Sequence, residues 1–378
     1  MVKIAYVVST LKRTGPTNQL CSLIKHLDLE KYKPIVITLS AEPADSRWYD
    51  FEALGVDIYS LDLSRFQSLL KAKPSLELLI DRLQVDLIQS QGIRADALIS
   101  KLNDSRPTIS TLHNYPQLDY PKRYGYIIGN FMAAQHIKYL KDIKYCVGVS
   151  EAVCRNAETF LGFGKIMPIQ NGVDAELFFP VDEKAKADLR KKLKHSLKNV
   201  IWVSTGHLSE LKNPLFLIEL WKNHFKKNTN IHLLFIGDGS LLKASKHASL
   251  EFENIHFAGR VADVAEYLQA ADYFVSASTA EGLPNSVLEA MACGLPFLLS
   301  DIPPHREVWE FNKCAGRLFE VDNEESYLNA FTNLVSKDYE MLSGNAIKAI
   351  NDQFNAKTMS KRYQELYRQV LSDKENKC

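Results

Sequence analysis

Two glutamates, Glu281 and Glu289, are separated by seven residues at the junction of a predicted strand and a predicted helix. The strand ends near Ser276, Pro284 opens the helix, and Gly294 closes it. Glu281 is therefore expected at the edge of a loop and Glu289 more than one turn into the helix. A carboxylate there can accept two hydrogen bonds from a vicinal diol such as that of ribose. The alternative for Glu289 is a solvated carboxylate on the helix surface.

The start of this helix favours a negatively charged group. Amides in the first turn of a helix lack partners within the helix and point towards any anion placed there. Here those amides belong to the residues around Gly282, Leu283 and Asn285. The segment thus combines an acceptor for a diol with a site for an anion.

Lys212 lies in a second candidate site. It follows the strand predicted over Asn199 to Ser204 and comes just before a helix predicted from about Pro214. A phosphate at that point would interact with the lysine ammonium and with the helix amides. A solvated surface lysine is the alternative.

A glycine turn follows the next predicted strand, Ile231 to Ile236. Gly237 and Gly239 would let a ligand approach the backbone closely. Leu242 stands where a GxGxxG pattern would have its last glycine, so a nicotinamide dinucleotide site is not supported.

The first half of the chain has weaker signals. Gly15 follows the first predicted strand and precedes a helix, which suits a close approach to an anionic ligand. A plain turn with Pro16 at the first helical position explains it equally well. His113 follows another predicted strand, where it would either face a ligand or cap the strand end.

Parallel sheets must position these residues, because short apolar runs alternate with longer amphipathic stretches along the chain. The predicted strands are Lys3 to Val8, Pro34 to Leu39, Val56 to Ser60, Val85 to Ser90, Thr108 to Leu112, Tyr145 to Val149, Ile166 to Ile169, Asn199 to Ser204, Ile231 to Ile236, Ile255 to Phe257, Tyr273 to Ser276, Phe297 to Ser300 and Arg317 to Phe319. A new sheet begins after Asn171. The fold class is therefore α/β, with two doubly wound, Rossmann-like domains facing across a cleft, where the carboxyl ends of the strands bind ligands.

The domain limits follow from the two sets of strands and the charged stretch between them. A first Rossmann-like domain is expected over residues 1–175, a second over 176–355, and a C-terminal helix and tail over 356–378. The charged stretch Asp182 to Lys198 suits a solvated helix that opens the second domain. Apolar residues at helical spacing between Ala356 and Leu371 predict a terminal helix that docks on another part of the protein.

Composition excludes several functional classes. The chain has 378 residues, with 46 Lys and Arg against 45 Asp and Glu, so its formal charge of +1 provides no general field for nucleic acid. The apolar runs are too short to cross a bilayer, and the N-terminus does not read as a signal peptide. We therefore expect a cytoplasmic protein. Six cysteines without CxxC or disulfide-framework spacing are read as packing residues.

These segments together resemble the retaining glycosyltransferases of family four, which have the two-domain GT-B fold, over essentially the whole chain. Most of the resemblance lies in the run from Glu281 through Glu289 to Pro296. The other matching motifs, in chain order, are Gly15, Thr111-Leu112-His113, Val149-Ser150-Glu151, Asn171-Gly172-Val173-Asp174, Lys212 and Gly237-Asp238-Gly239.

The resemblance implies an acceptor-binding first domain, a nucleotide-sugar-binding second domain and a C-terminal helix that packs back on the first domain. It also implies roles for the site residues. Glu289 would bind the ribose of the donor nucleotide, Lys212 its diphosphate, and Glu281 the transferred sugar. His113 would contact that sugar near the reacting carbon, and His113, Glu281 and Lys212 would be catalytic. The donor-binding set that the resemblance implies is Gly15, His207, Lys212, Gly237, Arg260, Glu281, Gly282, Leu283, Pro284, Asn285 and Glu289.

Two positions depart from the family pattern. His207 stands where the family usually has an arginine beside the diphosphate, which puts half of the cationic clamp in doubt. Gly15 is followed by Pro16 instead of a second glycine, which changes the amides available there.

The implied reaction transfers a sugar from a nucleotide sugar, with UDP expected from family frequency, to a glycan or lipid-linked glycan acceptor in polysaccharide biosynthesis. Retention of the anomeric configuration is implied by the resemblance, with front-face attack expected and Glu281 as the candidate nucleophile for a double displacement. No metal cofactor is expected, because the sequence has no DxD pair and no closely spaced histidine and carboxylate cluster. Two alternatives are a sugar-nucleotide epimerase and a catalytically silent sugar-nucleotide-binding partner, which His207 keeps open.

Basic and aromatic residues are interleaved between Asp119 and Cys146. They suit a peripheral site on an anionic membrane surface, where a lipid-linked acceptor would lie. A solvated helix face is the alternative. The residues concerned are Lys122, Arg123, Lys138, Lys141, Lys144, Tyr124, Tyr126, Phe131 and Tyr139.

Overall fold

A computed structural model of the chain divides into two compact units. The first combines Met1–Gly172 with the chain from Ala356 on, and the second is Val173–Asn355. The sequence placed the corresponding limits at 175/176 and 355/356. The structure describes residues 1–102, 105–162, 166–196, 198–228 and 230–375.

The first unit is built on a parallel seven-stranded sheet in the order β3-β2-β1-β4-β5-β6-β7. Its strands are β1 Val2–Val8, β2 Tyr32–Thr38, β3 Asp57–Ser60, β4 Leu87–Gln91, β5 Thr108–Leu112, β6 Tyr145–Gly148 and β7 Met167–Pro168. The helices between them are α1 Gly15–Lys25, α2 Trp48–Ala53, α3 Arg65–Leu83, α4 Ile93–Ile99, α5 Pro116–Tyr124, α6 Tyr126–Lys141 and α7 Glu151–Leu161.

The second unit repeats this plan with a parallel six-stranded sheet in the order β10-β9-β8-β11-β12-β13. Its strands are β8 Val200–Thr205, β9 Ile231–Ile236, β10 Ile255–Gly259, β11 Tyr273–Ser276, β12 Phe297–Ser300 and β13 Gly316–Phe319. Its helices are α8 Glu183–Lys192, α9 Pro214–His224, α10 Leu242–Ala248, α11 Val264–Ala270, α12 Asn285–Ala292, α13 Pro303–Phe311, α14 Glu324–Val335 and α15 Tyr339–Ala349, followed by a π-helical turn at Ile350–Phe354.

Both strand orders are those of a doubly wound fold, which confirms the predicted α/β class. In each sheet the connections run one way from the first strand and then return to its other side, so the switch lies between β1 and β4 and between β8 and β11. Ligands of such sheets bind at the carboxyl ends of the strands beside the switch. All thirteen predicted strands are present, with ends that differ by at most two residues.

The last helix, α16 Ala356–Glu375, belongs to the first unit, as predicted. Its apolar face enters the core formed by β1, α1 and β2 through Met359, Tyr363, Leu366, Tyr367 and Val370. Buried hydrogen bonds reinforce this packing, since the Tyr367 hydroxyl donates to Gln89 Oε1 at 2.5 Å and lies 3.2 Å from the Tyr6 hydroxyl. Residues 376–378, the end of the predicted tail, lie outside the described part of the chain.

Helix α8 is solvated over most of its length, as its composition predicts. Asp182 caps its start by accepting a hydrogen bond from the Ala185 amide at 2.7 Å. Arg190, however, is buried, with its guanidinium 2.5 Å from the Asp272 carboxylate and 2.9 Å from the Ala270 carbonyl oxygen. The ion pair with Asp272 attaches the helix to the rest of the second unit. The charged composition of the segment did not predict this pair.

Two sequence expectations concern membranes and thiols. None of the helices in the described residues is both long enough and apolar enough to cross a bilayer. Cys21, Cys146, Cys154 and Cys293 are buried free thiols and Cys314 is exposed. Cys378 lies outside the described residues.

Candidate active site

The candidate site of the second unit lies where β8 and β11 end side by side. The loop after β8 carries Lys212, and the loop after β11 carries Glu281. The Thr279 amide donates to the Leu211 carbonyl oxygen at 2.8 Å and so joins the two loops. Strand order therefore brings together two side chains that are 69 positions apart in the sequence.

Lys212 and Glu281 form an ion pair. The Lys212 Nζ lies 2.5 Å from Glu281 Oε1, and the Ser278 hydroxyl donates to the same oxygen at 2.8 Å. Burial acts to raise the pKa of Glu281, but the Lys212 ammonium, with smaller contributions from His305 and Ser278, lowers it below its usual range. Glu281 is therefore a carboxylate at neutral pH and holds the lysine ammonium in the site.

Glu289 has the opposite electrostatics. It lies on α12, is only partly exposed, and burial raises its pKa from 4.5 to about 7 although the Lys212 charge opposes this shift. The carboxyl group is thus near its midpoint at neutral pH. A ligand that donates hydrogen bonds to it would favour the ionised form.

Glycines allow the loops after β8 and β9 to touch each other. A Cβ added to Gly237 (φ 138°) would lie 1.9 Å from the Gly206 carbonyl oxygen, and one added to Gly239 would lie 2.2 Å from that of Leu208. The sequence predicts that these glycines let a ligand approach the backbone. In the structure, the loop after β8 occupies the space on the Cβ side of Gly237.

Helix α12 begins one residue later than predicted. Pro284 is its N-cap residue, and Asn285 is the first residue of the helix. Gly282, Leu283 and Pro284 are buried and Asn285 is partly buried. The positive end of the helix dipole therefore lies in the same loop as Glu281.

The remaining predicted donor-site residues are more exposed. His207 follows β8 and Arg260 follows β10, the edge strand, and both side chains are exposed. Gly15 starts α1 in the first unit and is exposed as well. Within the second unit the structure thus groups Lys212 and Glu281 with Glu289.

His113 belongs to the first unit, directly after β5. Its Nε2 lies 3.1 Å from Gln91 Oε1 at the end of β4, and burial lowers its pKa to about 4 against the opposing charge of Asp96. The imidazole is therefore neutral at neutral pH. This geometry agrees both with a ligand-facing histidine and with the alternative of a histidine satisfied at a strand end.

Sequence reasoning missed a hydrogen-bonded chain behind Glu281. His305 is fully buried, and its Nδ1 donates to the Ser300 carbonyl oxygen at 2.8 Å. The Ser300 hydroxyl donates to the Ser278 carbonyl oxygen at 2.6 Å, and Ser278 bonds Glu281. Burial lowers the pKa of His305 to about 4. The sequence signal that could have identified His305 is its position just after β12, because that strand also ends at the site.

The His, Cys, Asp and Glu side chains of the described residues form no group of three or more arranged to hold a metal ion.

Two family models match the chain, one for each unit. The model described as Glycosyltransferase Family 4 matches residues 14–177. The model described as Glycosyl transferases group 1 matches residues 198–337. Together they cover most of the sequence.

Several curated proteins with related sequences are bacterial glycosyltransferases. The chain is 30% identical over 218 residues to a UDP-Gal:alpha-D-GlcNAc-diphosphoundecaprenol alpha-1,3-galactosyltransferase of Escherichia coli, and this alignment spans 56% of each chain, about half of that relative. It is 24% identical to the O-antigen biosynthesis glycosyltransferase WclY of Escherichia coli over 98% of this chain and 99% of WclY. It is 26% identical to the capsular polysaccharide biosynthesis glycosyltransferase CapH of Staphylococcus aureus over 83% of this chain and 85% of CapH.

Solved structures show the same fold at lower identity. Sucrose-phosphate synthase from Thermosynechococcus elongatus superposes with a TM-score of 0.82 at 17% identity over 99% of this chain and all of that chain. Anabaena Alr3699/HepE in complex with UDP-glucose superposes with a TM-score of 0.78 at 17% identity over 98% and 100%. With a family-model match in each unit and named glycosyltransferases among its relatives, this chain is a glycosyltransferase of the family 4 type with the GT-B fold.

Proposed function

We propose that the protein transfers a sugar from a UDP-sugar to a lipid-linked glycan in the synthesis of a bacterial surface polysaccharide, with retention of the anomeric configuration. The observation that carries this proposal is the grouping of Lys212 and Glu281 with Glu289 at the carboxyl ends of β8 and β11. It provides a cation for a diphosphate and two acidic groups for hydroxyls.

The donor would lie along this edge of the sheet. Glu289 would accept hydrogen bonds from the ribose diol, and Lys212 would bind the diphosphate. Glu281, already charged through its contact with Lys212, would accept hydrogen bonds from the transferred sugar. A UDP donor is supported by a UDP-galactose-dependent relative and by the fold neighbour solved with UDP-glucose.

Departure of the leaving group places negative charge on the diphosphate. Fixed positive groups in a partly buried site stabilise that charge more strongly than water does. The Lys212 side chain is 24% exposed, and the positive end of α12 lies near it in the Glu281 loop. These groups would stabilise the leaving group without a metal ion.

Front-face attack is the favoured route to retention. Glu281 Oε1 accepts hydrogen bonds from both Lys212 and Ser278, and its pKa is lowered. Both features make the carboxylate a weaker nucleophile than an unpaired one. In the front-face route the departing phosphate oxygen takes the acceptor proton, while neutral His113 orients the donor sugar.

The acceptor is proposed from the names of relatives. One acts on a GlcNAc-diphosphoundecaprenol, and others serve O-antigen or capsule synthesis. A lipid-linked acceptor requires the protein to work at the cytoplasmic face of a membrane.

A panel of nucleotide sugars offered to the purified chain tests the proposal. We expect hydrolysis of one UDP-sugar in the absence of acceptor, an α-linked product from an α-linked donor by NMR, and the same rate with EDTA present. An inverted product would overturn retention, and loss of activity in EDTA would overturn metal independence. If the chain bound a UDP-sugar but turned over none of the panel, the silent-partner alternative would replace the proposal.

A further inference from the structure

Four apolar side chains project from the corner where α5 meets α6. Tyr126, Ile127, Ile128 and Phe131, here named the apolar corner, are 81%, 83%, 61% and 65% exposed. Three of them are consecutive, so they cover the tip of the helix instead of one stripe along it. Such a cluster is unusual on the surface of a soluble protein and marks a site of interaction.

The opposite side of α6 explains why these residues remain outside. The buried positions of the helix are Gly129, Ala133, His136 and Leu140, which follow helical spacing. Gly129 packs against α5 so closely that a Cβ there would lie 2.4 Å from Pro121 Cα. Near the corner the buried face consists of the small residues Gly129 and Ala133, whereas the large apolar side chains are exposed.

A buried polar chain fixes the corner in place. His136 Nε2 on α6 lies 2.7 Å from the Asp96 carboxylate on α4, and the Tyr120 hydroxyl on α5 lies 2.8 Å from His136 Nδ1. Asp96 also accepts hydrogen bonds from Ser90 at the end of β4 and from Ser110 on β5. The apolar corner is thus held by the core of the first unit.

The segment that forms the corner and the rest of α6 carries only positive charges, although Asp119 and Asp142 flank it. Residues 120–141 contain four cationic side chains and no Asp or Glu. Lys122 and Arg123, exposed in the last turn of α5, lie next to the corner, and the Arg123 guanidinium lies 5.5 Å from the Tyr124 ring centroid. Lys138 and Lys141 lie in the last turn of α6, about 20 Å away along its axis. The basic and aromatic residues therefore do not form one continuous face.

We propose that the apolar corner inserts into the interface of an anionic lipid bilayer, with Lys122 and Arg123 bound to lipid phosphates. This inference rests on the proposed function in one respect, that a lipid-linked acceptor lies at such a surface. Apolar side chains favour the boundary between headgroups and acyl chains, aromatic tyrosine suits the headgroup level, and each nearby cation adds attraction to anionic lipid.

Vesicle sedimentation of the full-length protein tests the proposal. With vesicles of phosphatidylglycerol and phosphatidylethanolamine we expect binding that weakens in high salt, and much weaker binding to phosphatidylcholine alone. The double variant Ile127→Asp, Ile128→Asp should lower the partition coefficient at least about tenfold. Lys122→Glu with Arg123→Glu should lower it on anionic vesicles and remove most of its salt dependence.

Matched controls come from the second unit. Leu250→Asp changes a leucine that is 75% exposed, and Lys243→Glu changes an exposed lysine; neither should alter binding. Wild-type protein that stays in solution with anionic vesicles, or apolar-corner variants that bind as the wild type does, would overturn the proposal. Self-association in sedimentation velocity that Ile127→Asp, Ile128→Asp abolishes, without vesicle binding, would assign the corner to a second copy instead and also overturn it.

Donor hydrolysis separates this inference from the proposed function. The apolar-corner variants should hydrolyse a UDP-sugar as fast as the wild type, because none of the four residues belongs to the proposed donor-binding set. Failure of vesicle binding with intact hydrolysis would overturn the membrane surface alone. Vesicle binding without hydrolysis of any nucleotide sugar would overturn the proposed function and leave the surface standing.

Discussion

Lys212 and Glu281 are paired before any donor is bound, with Nζ and Oε1 2.5 Å apart. The family resemblance implies separate roles for these two residues, one on the diphosphate and one on the sugar, but in the structure they form a single ion pair. A diphosphate entering the site would contact an ammonium that is already oriented. Little side-chain ordering would then remain to be done on binding.

Replacing Lys212 by alanine should lower the rate of donor hydrolysis about a hundredfold, because loss of one charge-stabilising donor costs about 3 kcal/mol of barrier. Lys243→Ala, at an exposed lysine of α10, should leave the rate unchanged. Single-turnover kinetics measure both. Lys212→Ala leaves the Glu281 carboxylate without its lysine partner. The double variant Lys212→Ala, Glu281→Gln removes that charge and serves as a control for folding. Unchanged kinetics in Lys212→Ala would remove this lysine from the site.

Glu289 should destabilise the folded protein as the pH rises. Its pKa is raised from 4.5 to about 7 by burial, so between these values the folded protein keeps a proton that the unfolded chain releases. The free energy of unfolding therefore falls across this window. Glu289→Gln removes the effect, and its Tm should exceed that of the wild type by more at pH 8 than at pH 4.5.

Thermal melts at both pH values, with Glu219→Gln on the exposed face of α9 as the matched control, measure this difference. A Tm gain of the same size at pH 4.5 and pH 8 would contradict the burial of Glu289.

Nucleotide-sugar affinity should rise with pH through about 7, the pKa of Glu289, because the ionised carboxylate accepts both ribose hydrogen bonds. Calorimetry with a nucleotide sugar isolates the titration of Glu289, since both phosphates of the ligand are esterified and do not titrate near this pH. Glu289→Gln should bind about tenfold more weakly, with no pH dependence from this site. Wild-type affinity in that variant would select the solvated-carboxylate alternative.

His113 should act as a neutral imidazole. Burial lowers its pKa to about 4, so its protonation state does not change between pH 5 and pH 8. We expect His113→Ala to lower turnover at least about tenfold and by the same factor throughout that range. A ratio of wild-type to variant rates that changes across pH 6 to 7 would show that the histidine titrates during catalysis.

The last helix should contribute measurably to the stability of the first unit. Tyr367→Phe leaves Gln89 Oε1 buried without the hydroxyl that donates to it, which costs about 2 kcal/mol. Tyr363→Phe is the matched control, because its partner Thr111 keeps a 3.0 Å hydrogen bond from Gln89 Nε2. Urea unfolding should show the larger loss for Tyr367→Phe, and equal losses would contradict the role of the Gln89 contact.

Much of this protein follows from local sequence. Apolar runs bounded by turn residues predicted the strands, and helical spacing in α16 predicted a docked last helix, because these patterns depend on neighbours only a few residues away. Strand-end reasoning also singled out Lys212 and Glu281 as candidate site residues. The charged composition of α8 predicted a solvated helix, and most of the helix is solvated. It did not predict the ion pair between buried Arg190 and Asp272, because the two residues are 82 positions apart.

Only the tertiary structure decided which of these residues meet and how they are charged. The order β8 beside β11 joins Lys212 to Glu281. Burial acts to raise the pKa of both glutamates, but the ion pair with Lys212 lowers that of Glu281, so the two carboxyl groups differ in acidity. The same holds for the apolar corner, whose residues are as apolar as those of a core. They are exposed because glycine, alanine and a paired histidine occupy the side of α6 that packs against α5 and α4. Local sequence determines the elements, whereas contacts between distant segments determine their chemistry.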